Sequence, residues 1–231
     1  MKITETNFGF LIETNSFLVL FGGKKATLGN LQASFMNTHF VRVKQTHGDK
    51  FVRSDDPIAD YKIEADAHFT NRSNLGLCIS TADCMPIFIY DPTIHFVGAI
   101  HAGWRGVANN IVTKTIGQLK ELGGIPEKMR VLIGPHIQMN SFEVDFTVRD
   151  EILSSISESV AISESMYHRN ISSEKALVDI NQVMKTQLQS CGIAFDNLYN
   201  LHIDTFTDPR FHSHRRDKEH AGRQLSFISL R

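Results

Sequence analysis

Three times between Phe40 and Gly106 an apolar or alternating run breaks into a tight turn of small residues, and each time a histidine or a cysteine stands at the break. The junctions are Phe40-Val41-Arg42-Val43 into Gln45-Thr46-His47-Gly48, Leu77-Cys78-Ile79 into Thr81-Ala82-Asp83-Cys84, and Phe96-Val97-Gly98-Ala99-Ile100 into His101-Ala102-Gly103-Trp104-Arg105-Gly106. Strand ends are rigid supports, and in α/β sheets the ends of several strands commonly meet around one ligand. A fold that honours all three junctions can therefore gather His47, Cys84 and His101 in one place.

The rest of the chain supplies the elements such a fold needs. Short runs rich in branched and aromatic residues predict strands at Phe17 to Phe21, Met85 to Tyr90, His95 to Ile100, Arg130 to Ile133 and Leu225 to Leu230. Helical spacing follows Gly106 through Val107, Ile111, Ile116, Leu119 and Leu122, stopped by Gly123-Gly124 and Pro126. A second helix is expected from Ala176 to Cys191 with Gly192 as its cap, and a third from Thr147 to Ser157. Interleaved strands and helices predict an α/β class. No repeat and no Ser-, Pro- or Gly-rich linker divides the chain, so residues 1–231 are expected to form a single domain.

With 231 residues, 42% of them apolar, the chain is long enough to bury a large core. Its 24 basic and 25 acidic residues nearly cancel, which argues against nucleic acid as a partner and leaves no acidic excess suited to a basic one. Three cysteines, Cys78, Cys84 and Cys191, make a poor disulfide framework and fit a reducing compartment. The apolar run near the N-terminus, Phe17 to Phe21, is too short for a signal peptide or a membrane span. The expectation is a cytoplasmic enzyme with no membrane association.

Two imidazoles and a thiolate match the ligand set of a catalytic zinc site, where three protein ligands leave a fourth position open to water or substrate. Zinc lowers the pKa of bound water to about 7, so hydrolysis, deamination and lysis of activated bonds become accessible. Each residue also has an ordinary reading. A buried cysteine is among the most inert of core residues, and histidines at turns are commonly hydrogen-bonded there. Spacing alone leaves both readings open.

The tail carries a second cluster, His212-Ser213-His214-Arg215-Arg216-Asp217 followed by Gly222-Arg223. Arginine forks suit phosphate or carboxylate, so Arg215, Arg216 and Arg223 are candidate substrate contacts, with a solvated turn paired to Asp217 and Glu219 as the alternative. Asp83 could orient an imidazole or cap a turn. His136, at the end of Ile133-Gly134-Pro135, reads as structural.

Taken in order, Gln45-Thr46-His47-Gly48, Thr81-Ala82-Asp83-Cys84-Met85-Pro86, His101-Ala102-Gly103-Trp104-Arg105-Gly106, Ile133-Gly134-Pro135 and Ser213-His214-Arg215-Arg216-Asp217 with Gly222-Arg223 resemble the YfiH/YlmD family. That family is also called the laccase-domain or multicopper polyphenol oxidase family. The resemblance implies that His47, Cys84 and His101 are both zinc ligands and catalytic residues, with copper as a possible metal. It implies a layered α/β/β/α (α+β) fold with mixed sheets, similar to the catalytic domain of cytotoxic necrotizing factor toxins. It implies a small-molecule substrate, with phosphate a possible co-substrate. The activities it implies are phosphorolysis of adenosine, inosine or methylthioadenosine with adenosine deamination, copper-dependent phenol oxidation, or editing of a peptidoglycan precursor. Two departures stand out: the family's Thr-Arg-x-Gly-Gly-x-Ser element is reduced to Phe21-Gly22-Gly23-Lys24-Lys25, and of the cysteines common in the family the one after Ile-Gly-Pro is His136 here and the one before the tail motif is Asp204 or a neighbour.

Overall fold

In chain order the strands are β1 (Lys2–Thr6), β2 (Gly9–Glu13), β3 (Phe17–Gly22), β4 (His39–Arg42), β5 (Phe51–Arg53), β6 (Ala67–Thr70), β7 (Leu75–Thr81) and β8 (Met85–Asp91). They continue as β9 (Phe96–Ala102), β10 (Arg130–Ile133), β11 (Glu143–Asp145), β12 (His168–Asn170), β13 (Lys175–Val178), β14 (Leu198–Asn200) and β15 (Gln224–Leu230). The α-helices are α1 (Leu28–Ser34), α2 (Trp104–Ala108), α3 (Ile111–Glu121), α4 (Phe146–Leu153), α5 (Ile180–Ser190) and α6 (His214–Asp217). These elements belong to a computed structural model that describes residues 1–56, 61–156 and 166–231.

Two mixed six-stranded sheets dominate, ordered β1-β2-β3-β15-β7-β4 and β14-β10-β8-β9-β6-β5, with a small third sheet β11-β13-β12. Period-two alternation explains how the sheets stack. In β3, Phe17, Val19 and Phe21 point to one core while Leu18 and Leu20 point to another. In β8, Phe88 and Tyr90 face the first sheet's Phe17, Phe21, Leu77 and Ile228, whereas Met85, Ile87 and Ile89 face the opposite way. The central core is thus the space between the sheets. Outside the first sheet, Leu31 of α1 packs on Leu18, Leu20 and Phe227. Outside the second, the apolar stripes of α3 (Ile111, Ile116, Leu119) and α5 (Ile180, Val183, Met184, Leu188) cover Ile87, Ile89 and Val131. The result is a mixed α/β architecture in helix, sheet, sheet, helix order.

All five expected strands form, most lengthened by a residue at one end. The helices differ more. The one expected after Gly106 is two, because Asn110 adopts a left-handed conformation (φ 58) between α2 and α3, a conformation to which asparagine is well suited. The helix expected from Ala176 starts at Ile180. Ala176 and Leu177 belong to β13, and the Asp179 side chain accepts from Gln182 N at 2.9 Å as the N-cap. The third is α4, which starts at Phe146; Ser157 lies outside the described residues. No helix among the described residues is long and apolar enough to cross a membrane.

The sheets also set the place of the three junctions. β4 and β7 run parallel in the first sheet, so both end on the same side. The chain leaves β7 of the first sheet and enters β8 of the second through Ala82-Asp83-Cys84, and the start of β8 pairs with the end of β9 (Met85↔Ala102, Pro86↔His101). His47, Cys84 and His101 therefore meet where the chain crosses between sheets.

A buried histidine gives the fold a pH dependence. His68 of β6 is fully buried, its Nδ1 3.2 Å from Ser54 Oγ and its Nε2 3.2 Å from the Cys78 carbonyl. Burial, only partly opposed by that carbonyl, pushes its pKa down to about 4. The folded state then holds it neutral while the unfolded chain protonates it below pH 6.5. Its contribution is fully present above 6.5 and is lost as pH falls towards about 4, at about 1.4 kcal/mol per pH unit. Urea unfolding of the wild type and His68→Gln is expected to show a stability difference that shrinks by about 3 kcal/mol between pH 7 and pH 4.

Candidate metal centre

The ligand atoms of His47, Cys84 and His101 all lie within 4.8 Å of one another. Their imidazole rings meet edge to face, with centroids 4.8 Å apart and planes at 82°. His101 is buried, Cys84 partly so, and His47 exposed, so the group opens to solvent on the His47 side. The Gln45 side chain fastens the first turn by pairing with the β7 backbone: Nε2 donates to Ser80 O and Oε1 accepts from Ser80 N, both at 2.8 Å.

Asp66, which the sequence did not single out, organises both histidines. It is fully buried between Ala65 and Ala67. Its Oδ1 accepts from His47 N at 3.0 Å and lies 2.8 Å from His101 Nδ1. Its Oδ2 accepts from Thr46 N and Thr46 Oγ1 at 3.1 Å and from Gly48 N at 2.8 Å. A carboxylate can only accept, so His101 places its proton on Nδ1 and turns Nε2 towards the group. The signal was present in the sequence as a lone acid in the otherwise apolar Ala65-Asp66-Ala67.

Electrostatics favour a charged centre. Burial opposes ionisation of Asp66, but His101 and the amides of Gly48 and Thr46 outweigh it and hold its carboxyl below the usual range. Burial likewise opposes the Cys84 thiolate, yet the facing His101 and His47 imidazoles pull the thiol down to about 6. His101 resists protonation through burial, but Cys84 and Asp66 raise it to about 9. The thiolate is therefore accessible at neutral pH, as a metal ligand or nucleophile must be.

This donor set fits a metal ion. A thiolate and two imidazoles suit zinc or copper, at about 2.3 Å for sulfur and about 2.0 Å for nitrogen. Space for the ion is kept by Gly103: a Cβ there would lie 3.3 Å from both Cys84 Sγ and His47 Cδ2 and 3.8 Å from His101 Cε1. Its backbone, at φ −72 and ψ 166, would accept alanine without strain. Gly103→Ala is therefore expected to fold normally but bind metal roughly tenfold more weakly, read by competition against a chelator of known affinity.

The group opens into a cavity of about 600 Å³. Its wall carries Arg42, Arg105, Arg215, Lys218 and Arg223, against Asp83 as the one carboxylate among its described residues. Aromatic surface comes from Tyr61, Trp104 and Phe142. Guanidinium groups stack on each: Arg42 over Tyr61 at 5.1 Å, Arg105 over Trp104 at 4.4 Å and Arg215 over Phe142 at 5.8 Å. Of these, the sequence singled out Arg215 and Arg223. Arg42, Arg105 and Lys218 were missed, since isolated cations carry no signal until the fold brings them together.

Arg216 is placed elsewhere. Its guanidinium donates to the carbonyls of Thr205, Phe206 and Phe211 at 2.8–3.0 Å and pairs with Asp217, so it braces the tail from outside the cavity. Asp83 does not orient an imidazole; its oxygens accept from Thr205 Oγ1 and Arg215 N. His136 also lines the cavity, fully buried, with Nδ1 2.7 Å from Gly134 O. Burial, weakly opposed by that carbonyl, lowers its pKa to about 4, keeping it neutral.

Residues 25–231 match the family model described as multi-copper polyphenol oxidoreductase laccase. Purine nucleoside phosphorylase YlmD of Bacillus subtilis is 30% identical over 168 residues, covering 72% of this chain and 59% of that protein. This chain thus spans less than two thirds of that relative. A purine nucleoside phosphorylase of Deinococcus radiodurans is 30% identical over 196 residues, covering 85% of this chain and 72% of that protein. Among solved structures, the Bacillus licheniformis hypothetical protein YfiH aligns over 99% of both chains with TM-score 0.85 and 26% identity. YlmD from Geobacillus stearothermophilus shares the fold, with TM-score 0.83 and 23% identity over 94% of this chain and 93% of its own.

Proposed function

The chain belongs to the multi-copper polyphenol oxidoreductase laccase family, the family of YfiH and YlmD, and from that premise we propose that it is a zinc-dependent purine nucleoside enzyme. The reactions are phosphorolysis of adenosine, inosine or methylthioadenosine and deamination of adenosine. Support comes from relatives named purine nucleoside phosphorylase. The observation that carries the reading is the His47, Cys84 and His101 group opening into a cavity walled by cations and aromatic faces. We also propose that residues 1–231 form one domain, acting in the cytoplasm, where the thiols of Cys84 and Cys191 are stable.

His47, Cys84 and His101 would hold the zinc, which when bound supplies a Lewis acid and lowers the pKa of water. Asp66 keeps the His101 proton on Nδ1, so that Nε2 stays available. Arg215 and Arg223 would take the oxygens of phosphate. Trp104 and Phe142 offer faces on which a purine can lie. In phosphorolysis a phosphate oxygen forms a bond to C1′ of the ribose while the C1′–N9 bond breaks and its electron pair leaves with the base. In deamination the oxygen of water bonds to C6 as the C6–N bond breaks and ammonia departs. Among the described residues one group of three or more possible metal ligands is present, whereas multicopper oxidation requires several metals, which favours zinc over copper.

A second reading has its own observation. Cys84, His101 and Asp66 stand in the order thiolate, imidazole, carboxylate, with His101 Nδ1 2.8 Å from Asp66, the arrangement of a cysteine hydrolase such as one that edits a peptidoglycan precursor. Chelation separates the two. Purified protein is expected to carry about one zinc per chain and to turn over purine nucleosides, with loss of activity on chelation. Inactivity towards adenosine, inosine and methylthioadenosine, with and without phosphate, would remove the first reading, and hydrolysis that survives chelation would establish the second.

A further inference from the structure

Asp83 immediately precedes the thiol of Cys84 and holds a left-handed backbone conformation, φ 82. Such a conformation favours glycine and, among other residues, asparagine and aspartate, so the turn explains part of the choice. The side chain does more. Oδ1 accepts from Thr205 Oγ1 at 2.7 Å and Oδ2 accepts from Arg215 N at 2.6 Å, groups 122 and 132 residues away in sequence. Its carbonyl accepts from Ile137 N at 3.0 Å.

These bonds hold both ends of the tail segment that forms one wall of the cavity. Thr205 is buried, and its carbonyl accepts from Arg216 Nη1 at 3.0 Å. Ser213 Oγ satisfies the Arg216 amide at 3.1 Å, leaving the Arg215 amide to Asp83. Arg215 then donates from Nη1 to Glu143 O at 2.7 Å, which fixes its guanidinium beside Phe142. One carboxylate thus ties the turn bearing the thiol to the segment that presents Arg215 and Lys218 to the cavity.

We infer that Asp83 is a positioning residue that clamps the Cys84 turn to the 205–217 segment and so fixes the spacing between the metal-binding thiol and the cationic wall. The inference rests on the metal-site reading above only for what Cys84 holds. The clamp leads to a definite expectation: a change at Asp83 moves both the ligand field at Cys84 and the grip of the wall on substrate.

Three variants separate the clamp from the turn. Asp83→Gly keeps the left-handed backbone and removes both acceptors. Asp83→Asn keeps the backbone and can accept from Arg215 N through its oxygen while donating to Thr205 Oγ1. Asp83→Ala loses the acceptors and strains the turn as well. Amide hydrogen exchange over residues 213–217, the visible spectrum of the cobalt-loaded protein, and KM and kcat for inosine and phosphate are the readouts. Asp83→Gly is expected to exchange about tenfold faster over that segment, to shift the cobalt bands, and to raise KM about tenfold with a smaller change in kcat. Asp83→Asn is expected to restore exchange and spectrum to within about twofold of wild type, and Asp83→Ala to be the worst of the three. Wild-type exchange and spectrum in Asp83→Gly would overturn the clamp, as would Asp83→Asn behaving like Asp83→Gly. Should the wild type bind no cobalt or leave inosine unchanged, the function reading fails while hydrogen exchange still decides the clamp.

Discussion

Cys84→Ala is expected to release the metal and lower turnover on the order of 10³-fold while leaving the protein folded. Cys84 supplies the one sulfur of the group, and its thiolate is the charge around which His47 and His101 are arranged. Two imidazoles remain in the variant, too few to keep a metal ion against competing water. A metal's share of transition-state stabilisation is several kcal/mol, equivalent to about 10³-fold in rate. Folding is expected to survive, because the cores between and outside the sheets contain none of the three ligands. Metal analysis, turnover and thermal unfolding on the same preparation check all three statements. A variant that lost its fold together with its metal would mean that the ion is a structural pin.

Replacing Asp66 is expected to damage stability as well as metal binding. Its two oxygens receive Thr46 N, Thr46 Oγ1, His47 N, Gly48 N and the His101 ring, all at 3.1 Å or less. Asp66→Ala leaves those donors, among them the buried His101 ring, without their acceptor, and breaking such a charged, hydrogen-bonded cluster from one side costs about 3–5 kcal/mol. Asp66→Asn keeps the shape but turns an amide NH₂ towards groups that donate. We expect it to fold with smaller loss and to bind metal about 10–100-fold more weakly, because His101 no longer has a carboxylate to fix its tautomer. Asp66 has its carboxyl pKa lowered in the folded state, so its ionised contribution is present above the normal aspartate range and is lost as pH falls below it. Equilibrium unfolding at several pH values, with a chelator competition at neutral pH, measures both effects.

The strands were legible because β3, β8, β9, β10 and β15 are buried and read as short apolar runs. The meeting of His47, Cys84 and His101 was legible because each stands at the end of such a run. The boundaries of β13 and α5 were not, since Leu177, Ile180, Val183, Met184 and Leu188 also fit a helical stripe and only the cap at Asp179 distinguishes them. Asp66 escaped notice because its value lies in five donors drawn from residues 18 to 35 positions away. Arg216 resembled its neighbour Arg215 in sequence, and only the carbonyls of Thr205, Phe206 and Phe211 tell them apart.

The place of β15 has a kinetic consequence. It lies between β3 and β7, pairing Leu230 with Phe17 on one side and Gln224 with Thr81 on the other. Until that strand arrives, the first sheet exists as two separate halves, each with a bare apolar border, and partners more than a hundred positions apart must find one another late. Such distant closure is slow, and the open borders are templates for pairing between molecules. Renaturation from urea should therefore give a yield that falls as protein concentration rises, with a synthetic β15 peptide competing for the gap.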